Sequence, residues 1–141
     1  MLTQPVLSTI TLLLRVLCAI SALTPPCSND TCRAHRQRAA IAIVAVAEGE
    51  PDPSEAAALL VGTGVHETGL RTEHQVRGPA VTYWQLEVPL RERDALLADP
   101  AVAARAALRI ARCGMVAYAG HDGPAAEELR RYVQRARWAL R

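Results

Sequence analysis

The sequence predicts a mainly α-helical fold, and three observations support that prediction. Good helix formers dominate a chain that is rich in alanine and arginine. Two prolines stand where helices begin. Asp99 is a suitable N-cap and Pro100 takes the first helical position after it, and Pro124 opens a stretch with acidic residues in its first turn. In that last stretch, apolar residues recur at helical spacing and should face a core. They are Leu129, Tyr132, Val133, Ala136 and Leu140.

The remaining elements follow from local start and stop signals. Asp30 or Thr31 is a suitable N-cap for the second predicted helix, and Ser54 for the third. Pro89 opens the fourth, and the fifth is a long helix that runs until the sequence GHDGP interrupts it. After the N-terminal segment, the expected helices cover residues 33–47, 56–65, 90–99 and 101–118 and a final stretch from residue 124.

The chain is long enough for one compact domain, which we assign to residues 27–141. Residues 1–26 form a separate N-terminal segment and linker. Residues 6–23 are strongly apolar and end at a Thr-Pro-Pro break, as in an export signal or a membrane anchor. Arg15 at the middle of the segment makes a bilayer span costly, and the alternative is an amphiphilic helix packed on the domain. We favour export to the periplasm or cell envelope.

Charge is distributed unevenly along a chain whose net charge is only +2. Residues 42–99 contain ten acids and four arginines, whereas residues 100–141 contain eight arginines and three acids. Such a basic tail can meet nucleic acid, an anionic membrane or a wall polymer, but solvated arginines on a helix face are the commoner explanation. We expect a monomer with no nucleic-acid partner, and membrane anchoring through residues 6–23.

The cysteines allow a small disulfide loop, because Cys27 and Cys32 have only four residues between them. Cys18 and Cys113 complete the set, and Cys113 competes for either partner, so spacing leaves the connectivity open. Zinc is a poor alternative because the four histidines lack ligand spacing. They are His35, His66, His74 and His121. We expect no metal and no cofactor.

The strongest candidate for chemistry is Glu67. Gly62, Gly64 and Gly69 bracket it, which predicts a glycine-punctuated loop that displays a single carboxylate after a buried helix. The negative end of that helix would favour the protonated carboxyl. The stretch is not a dinucleotide-binding fingerprint, because position 67 is glutamate where the third glycine belongs, and it is not a zinc-protease helix, because position 70 is leucine.

Three motifs in order resemble lytic transglycosylases and goose-type lysozymes. Residues 58–70 resemble the segment in which a helix ends at the catalytic glutamate, with Thr68 in place of the usual serine. TYWQLE looks like the family's Gly-Leu-Met-Gln-Ile element, with Gln85 on the glutamine and Thr82 on the glycine. VAYAGHDGP is similar to Ala-Tyr-Asn-Ala-Gly-Pro, with Tyr118 on the tyrosine and Ala119 where the family has asparagine.

This resemblance implies a lysozyme-like helical domain, with a minimal β-hairpin in residues 69–84. It implies cleavage of the β-1,4 bond between MurNAc and GlcNAc in peptidoglycan, by a bacterium or its phage. Glu67 would be the catalytic acid and the glycan strand the partner. The residues expected to contact substrate are Thr68, Tyr83, Trp84, Gln85 and Tyr118.

Two alternatives remain beside that interpretation. Most glycosidases pair two carboxylates, for which the candidates are Glu50, Glu73, Glu87 and Asp94. Lytic transglycosylases use one acid with help from the substrate's own groups, and we favour that route.

The other class of function is a non-catalytic helical domain, which binds wall glycan or acts as a membrane-tethered interaction module through its basic last helix.

Overall fold

Seven helices form the part of the chain that the computed structural model describes, which is residues 3–74 and 80–141. No strand occurs within these residues, so the mainly α class is confirmed. The helices are α1 (Gln4–Leu23), α2 (Asp30–Ala47), α3 (Pro53–Thr68), α4 (Leu90–Ala98), α5 (Pro100–Arg112), α6 (Met115–Ala119) and α7 (Pro124–Ala139).

Helix α3 lies at the centre of the fold and packs against α1, α2, α5 and α7. Residues 56–65 are all buried, so this helix is surrounded by other elements on every side. Its C-terminal end emerges from the core at Glu67. The central position of α3 therefore brings that carboxylate to the edge of the packed interior.

The glycines of α3 serve helix packing, and the prediction of a glycine-punctuated loop is wrong. The helix continues through Gly62 and Gly64 to Thr68 and ends at Gly69, whose φ of 67° is left-handed. A Cβ on Gly62 would lie 2.6 Å from the Cα of Val133 in α7. A Cβ on Gly64 would collide with Leu70 and lie 3.0 Å from the Trp84 Nε1. Only Gly69 supplies the backbone freedom that a helix end requires.

Helix α1 packs on the rest of the domain, against α2, α3 and α7. Val16, Ala19 and Ile20 are buried in the common core. Among the described residues, no helix combines the length and the apolarity that a membrane crossing needs. The packed arrangement is the alternative considered for residues 6–23, and export of the protein stays a prediction.

The helix ends confirm some local signals and correct others. Asp99 caps α5 as predicted, accepting from the Ala101 N–H at 2.9 Å, and α7 begins at Pro124. The cap of α2 is Asn29, one residue before the predicted pair, and the cap of α3 is Asp52, because Pro53 takes the first helical position. The predicted long helix is divided at Gly114, whose φ is 106°.

A disulfide joins Cys27 to Cys32 at the start of α2, while Cys18 and Cys113 are free and exposed. The expected β-hairpin is reduced to one isolated bridge between Val81 and Leu86. Residues 75–79, which belong to the stretch where the hairpin was expected, lie outside the described residues.

Candidate functional site

The three predicted motifs meet at the C-terminal end of α3. The Thr68 hydroxyl donates to the Tyr83 carbonyl at 2.8 Å, which joins α3 to the turn over residues 81–86. The Tyr118 hydroxyl donates to the Trp84 carbonyl at 2.7 Å, which joins α6 to the same turn. These two hydrogen bonds assemble segments that are far apart in sequence around the end of one buried helix.

The turn over residues 81–86 is a short closed loop. Val81 and Leu86 exchange both backbone hydrogen bonds, at 3.0 and 2.7 Å. Thr82 and Gln85 have φ values of 76° and 50°, a left-handed conformation that non-glycine residues rarely adopt. The resemblance places a glycine at the position of Thr82, and glycine adopts this conformation without strain. Here the Thr82 hydroxyl accepts from the Trp84 N–H at 3.3 Å and supports the turn.

Glu67 lies in the last turn of α3 with its side chain 26% exposed. One of its carboxylate oxygens is 3.4 Å from Nδ1 of His66, and Nε2 of the same ring is 3.5 Å from a carboxylate oxygen of Glu128 in α7. The His66 ring also makes an edge contact with Tyr132. His66 therefore links two carboxylates, one from each of the two most closely packed helices.

These contacts shift the pKa of the His66 side chain. The hydrogen bond with Glu67 is the largest cause that raises the pKa of His66 above its ordinary value, and the charges of Glu67 and Glu128 add to it. Partial burial of the ring opposes the shift. No local sequence pattern marks Glu128 as a site residue, because it comes near Glu67 only through the packing of α7 on α3.

Tyr118 is partly buried beside this carboxylate. Burial raises the pKa of its phenol, and the charge of Glu67 raises it further, while the Thr63 hydroxyl acts in the opposite direction. The phenol is therefore a neutral hydrogen-bond donor at physiological pH. Its proton is directed to the Trp84 carbonyl, and the phenol is close enough to Glu67 to respond to its charge.

The two aromatic residues predicted to contact substrate are core residues. Tyr83 and Trp84 are fully buried and make an edge contact with each other. The indole N–H of Trp84 donates to the Leu60 carbonyl at 2.9 Å, and the Tyr83 hydroxyl is 2.6 Å from Nδ1 of His35. A side chain with no exposed surface does not contact a glycan. The prediction that Tyr83 and Trp84 contact substrate is therefore corrected.

Two other predicted contact residues hold the local structure together. Thr68 is only 7% exposed, and its hydroxyl both donates to Tyr83 and accepts from the Leu70 N–H at 3.2 Å. The amide nitrogen of Gln85 donates to the carbonyls of His74 and Thr82, at 3.0 and 2.9 Å. Both side chains therefore stabilise the turn beside Glu67.

Of the four carboxylates considered as a second acid, two are held in ion pairs with arginines and two are exposed. Glu50 pairs with Arg112 at 2.7 Å, and Glu73 pairs with Arg38 at 3.2 Å. Glu87 and Asp94 are exposed, just before and within α4. Within residues 3–74 and 80–141, no three histidine, cysteine or acidic side chains are grouped so that they could hold a metal ion.

Comparisons with protein-family models, with curated proteins and with solved structures gave no match. Membership of the lysozyme superfamily therefore stays a prediction from the motifs.

The His66 contacts predict a pH-dependent stability. A group whose folded pKa is raised contributes stability that is fully present below its unfolded pKa and is lost as the pH rises through the folded value. We expect the wild type to exceed His66→Gln in free energy of unfolding most in mild acid, where His66 is protonated. The difference should shrink towards alkaline pH in urea titrations.

A matched control for this measurement is His121→Gln, at an exposed position between α6 and α7. Its free energy of unfolding should follow that of the wild type across the same pH series. A difference between the wild type and His66→Gln that stays constant with pH would show that His66 contributes only packing.

Proposed function

We propose that this protein cleaves the β-1,4 bond between MurNAc and GlcNAc in peptidoglycan, in the manner of a lytic transglycosylase, with Glu67 as its single catalytic acid. One observation carries the proposal: the end of α3, the turn carrying Gln85 and helix α6 with Tyr118 meet around Glu67. The resemblance expects these same three elements to line one site. The proposal makes the protein an exported cell-envelope enzyme that acts on a glycan strand.

The position of Glu67 suits general acid catalysis. Its carboxyl is mostly covered but keeps 26% of its surface open, so an incoming glycosidic oxygen can reach a group that is partly removed from water. When His66 is neutral it adds no positive charge beside the carboxyl, whereas protonated His66 stabilises the carboxylate.

The proposed reaction needs one carboxyl and the substrate itself. Glu67 donates its proton to the leaving oxygen as the bond to MurNAc breaks, and the resulting carboxylate then takes the proton from the 6-hydroxyl of the same sugar. That oxygen closes a 1,6-anhydro ring, so no water is consumed and the proton returns to Glu67. The neutral Tyr118 phenol keeps the turn beside Glu67 in place through the Trp84 carbonyl.

A second candidate function has an observation in its favour. Thr68, Tyr83 and Trp84 are buried, so three of the five predicted contact residues face the interior. A non-catalytic helical module that binds wall glycan would need less of an open groove than an enzyme does. The fate of the glycosidic bond separates the two candidates.

The test is to incubate purified protein with peptidoglycan and to analyse the soluble products by mass. The wild type should release muropeptides with 1,6-anhydro ends. Glu67→Gln keeps the shape of the side chain but cannot donate a carboxyl proton, so its rate should fall by about a hundredfold or more. Glu92→Gln, at an exposed site on α4, is the matched control and should retain full activity.

Each alternative has its own result. Equal activity of the wild type and Glu67→Gln would refute the assignment of Glu67. Products with hydrated ends would indicate a hydrolase of lysozyme type. Binding to peptidoglycan without any released product would support the non-catalytic module.

A further inference from the structure

The outward face of α7 carries a basic stripe that the proposed reaction does not use. Arg131, Arg135, Trp138 and Arg141 follow one another at i, i+4, i+7 and i+10, which places them along one side of the helix and its end. We call these four residues the α7 stripe. The opposite side of α7 is anchored in the core by Leu129, Val133, Ala136 and Leu140. The helix is therefore held with the stripe outward.

The arginines of the stripe differ from their neighbours in their partners. Arg130 pairs with Glu127 at 2.8 Å, and Arg137 makes a two-pronged pair with Glu55 at 2.6 and 2.9 Å. In the part of the chain that the structure describes, Arg131, Arg135 and Arg141 have no carboxylate partner. Three positive charges of the stripe are thus left for an external anion.

Trp138 adds an apolar group to this charged face. It is 64% exposed, which is unusual for a residue that normally buries most of its large surface. The Arg141 guanidinium carbon lies 4.3 Å from the centroid of the indole, so a cation is already stacked on the ring. Arg15, Asp52 and Glu55 line the same surface cavity, of about 260 Å³, as Arg137 and Arg141. The end of the stripe that faces α1 therefore carries both signs of charge.

We propose that the α7 stripe docks the protein on the surface of an anionic lipid bilayer. Arginines that lack carboxylate partners bind acidic headgroups, and an exposed indole favours the boundary between headgroups and acyl chains. A nucleic-acid duplex would use the same charges but would gain little from one indole on a helix face, because its bases are already stacked on one another. No residue of the stripe has a role in the proposed reaction, so the docking does not depend on that reaction.

The test is co-sedimentation of the full chain with vesicles at low salt. The protein should bind vesicles of phosphatidylcholine and phosphatidylglycerol in equal parts, and should not bind vesicles of phosphatidylcholine alone. Reversing the three charges, in Arg131→Glu/Arg135→Glu/Arg141→Glu, should weaken binding by about a hundredfold or more. The matched control Arg91→Glu/Arg105→Glu/Arg109→Glu changes net charge equally at exposed sites on α4 and α5 and should weaken binding far less.

The second measurement follows Trp138 directly. The chain has two tryptophans, Trp84 and Trp138. In the variant Trp84→Phe, the fluorescence of the remaining indole therefore reports only on the stripe. Its emission should shift to the blue and resist acrylamide quenching when anionic vesicles are added, and Trp138→Ala should bind less tightly than the wild type. Equal losses in the two charge-reversed triples, an unshifted emission, or equally tight binding to a DNA duplex that is unaffected by Trp138→Ala would each overturn the proposal.

Discussion

Replacing Gly62 by alanine should lower the free energy of unfolding by about 2 kcal/mol or more, although alanine is the better helix former. The new Cβ would lie 2.6 Å from the Cα and 2.8 Å from the backbone nitrogen of Val133 in α7. Because these are backbone atoms, no change of rotamer relieves the contact, and α7 would have to move away from α3. Urea-induced unfolding followed by circular dichroism measures the effect.

Gly49→Ala is the matched control for this result. The nearest atom to a Cβ at Gly49 is the Val46 carbonyl oxygen at 3.8 Å, which is an ordinary contact. Its free energy of unfolding should differ from that of the wild type by less than about 0.5 kcal/mol. Equal stability of Gly62→Ala and Gly49→Ala would contradict the close approach of α3 and α7.

Truncating Trp84 to alanine should cost about 3–5 kcal/mol, a large part of the stability of a domain of this size. The side chain is fully buried, makes an edge contact with Tyr83 and donates its indole N–H to the Leu60 carbonyl. Truncation leaves a cavity between α3 and the turn over residues 81–86. The same urea experiment gives the free energy of unfolding.

Trp84→Phe separates the cavity from the hydrogen bond. The phenylalanine ring fills most of the space of the indole, and only the indole N–H donor is lost. The Leu60 carbonyl keeps its place in the continuous helix α3. We expect a loss of about 1–1.5 kcal/mol, which is far less than for alanine. A loss as large as that of Trp84→Ala would mean that the hydrogen bond, and not the packing of the ring, holds the turn on α3.

Local signals in the sequence were sufficient for most of the helices. Asp99 followed by Pro100 starts α5, because a capping carboxylate and a proline at the first position act within one turn. The apolar spacing of α7 likewise identifies its buried face, because the apolar residues of an amphipathic helix recur along one side of that helix. The order of Glu67, Gln85 and Tyr118 along the chain is a matter of sequence alone.

Local sequence signals gave wrong predictions at residues whose role depends on a contact with a part of the chain that is distant in sequence. Gly62 and Gly64 look like loop residues in sequence, yet their small size is what allows Val133 and Trp84 to approach a continuous helix. Tyr83 and Trp84 look like glycan-binding aromatics, yet the turn places both in the core. In each case the deciding contact comes from another element, which the local pattern does not contain.

The sequence by itself determined the helical class and the starts of α5 and α7, because propensity, capping and periodicity act over a few neighbouring residues. The choice of Glu67 was also made from the sequence and stays a prediction. Only the tertiary structure decided that α3 runs unbroken to Thr68 and that Tyr118 joins the turn through Trp84. It also decided that His66 links Glu67 to Glu128, because this contact exists only once α7 has packed on α3.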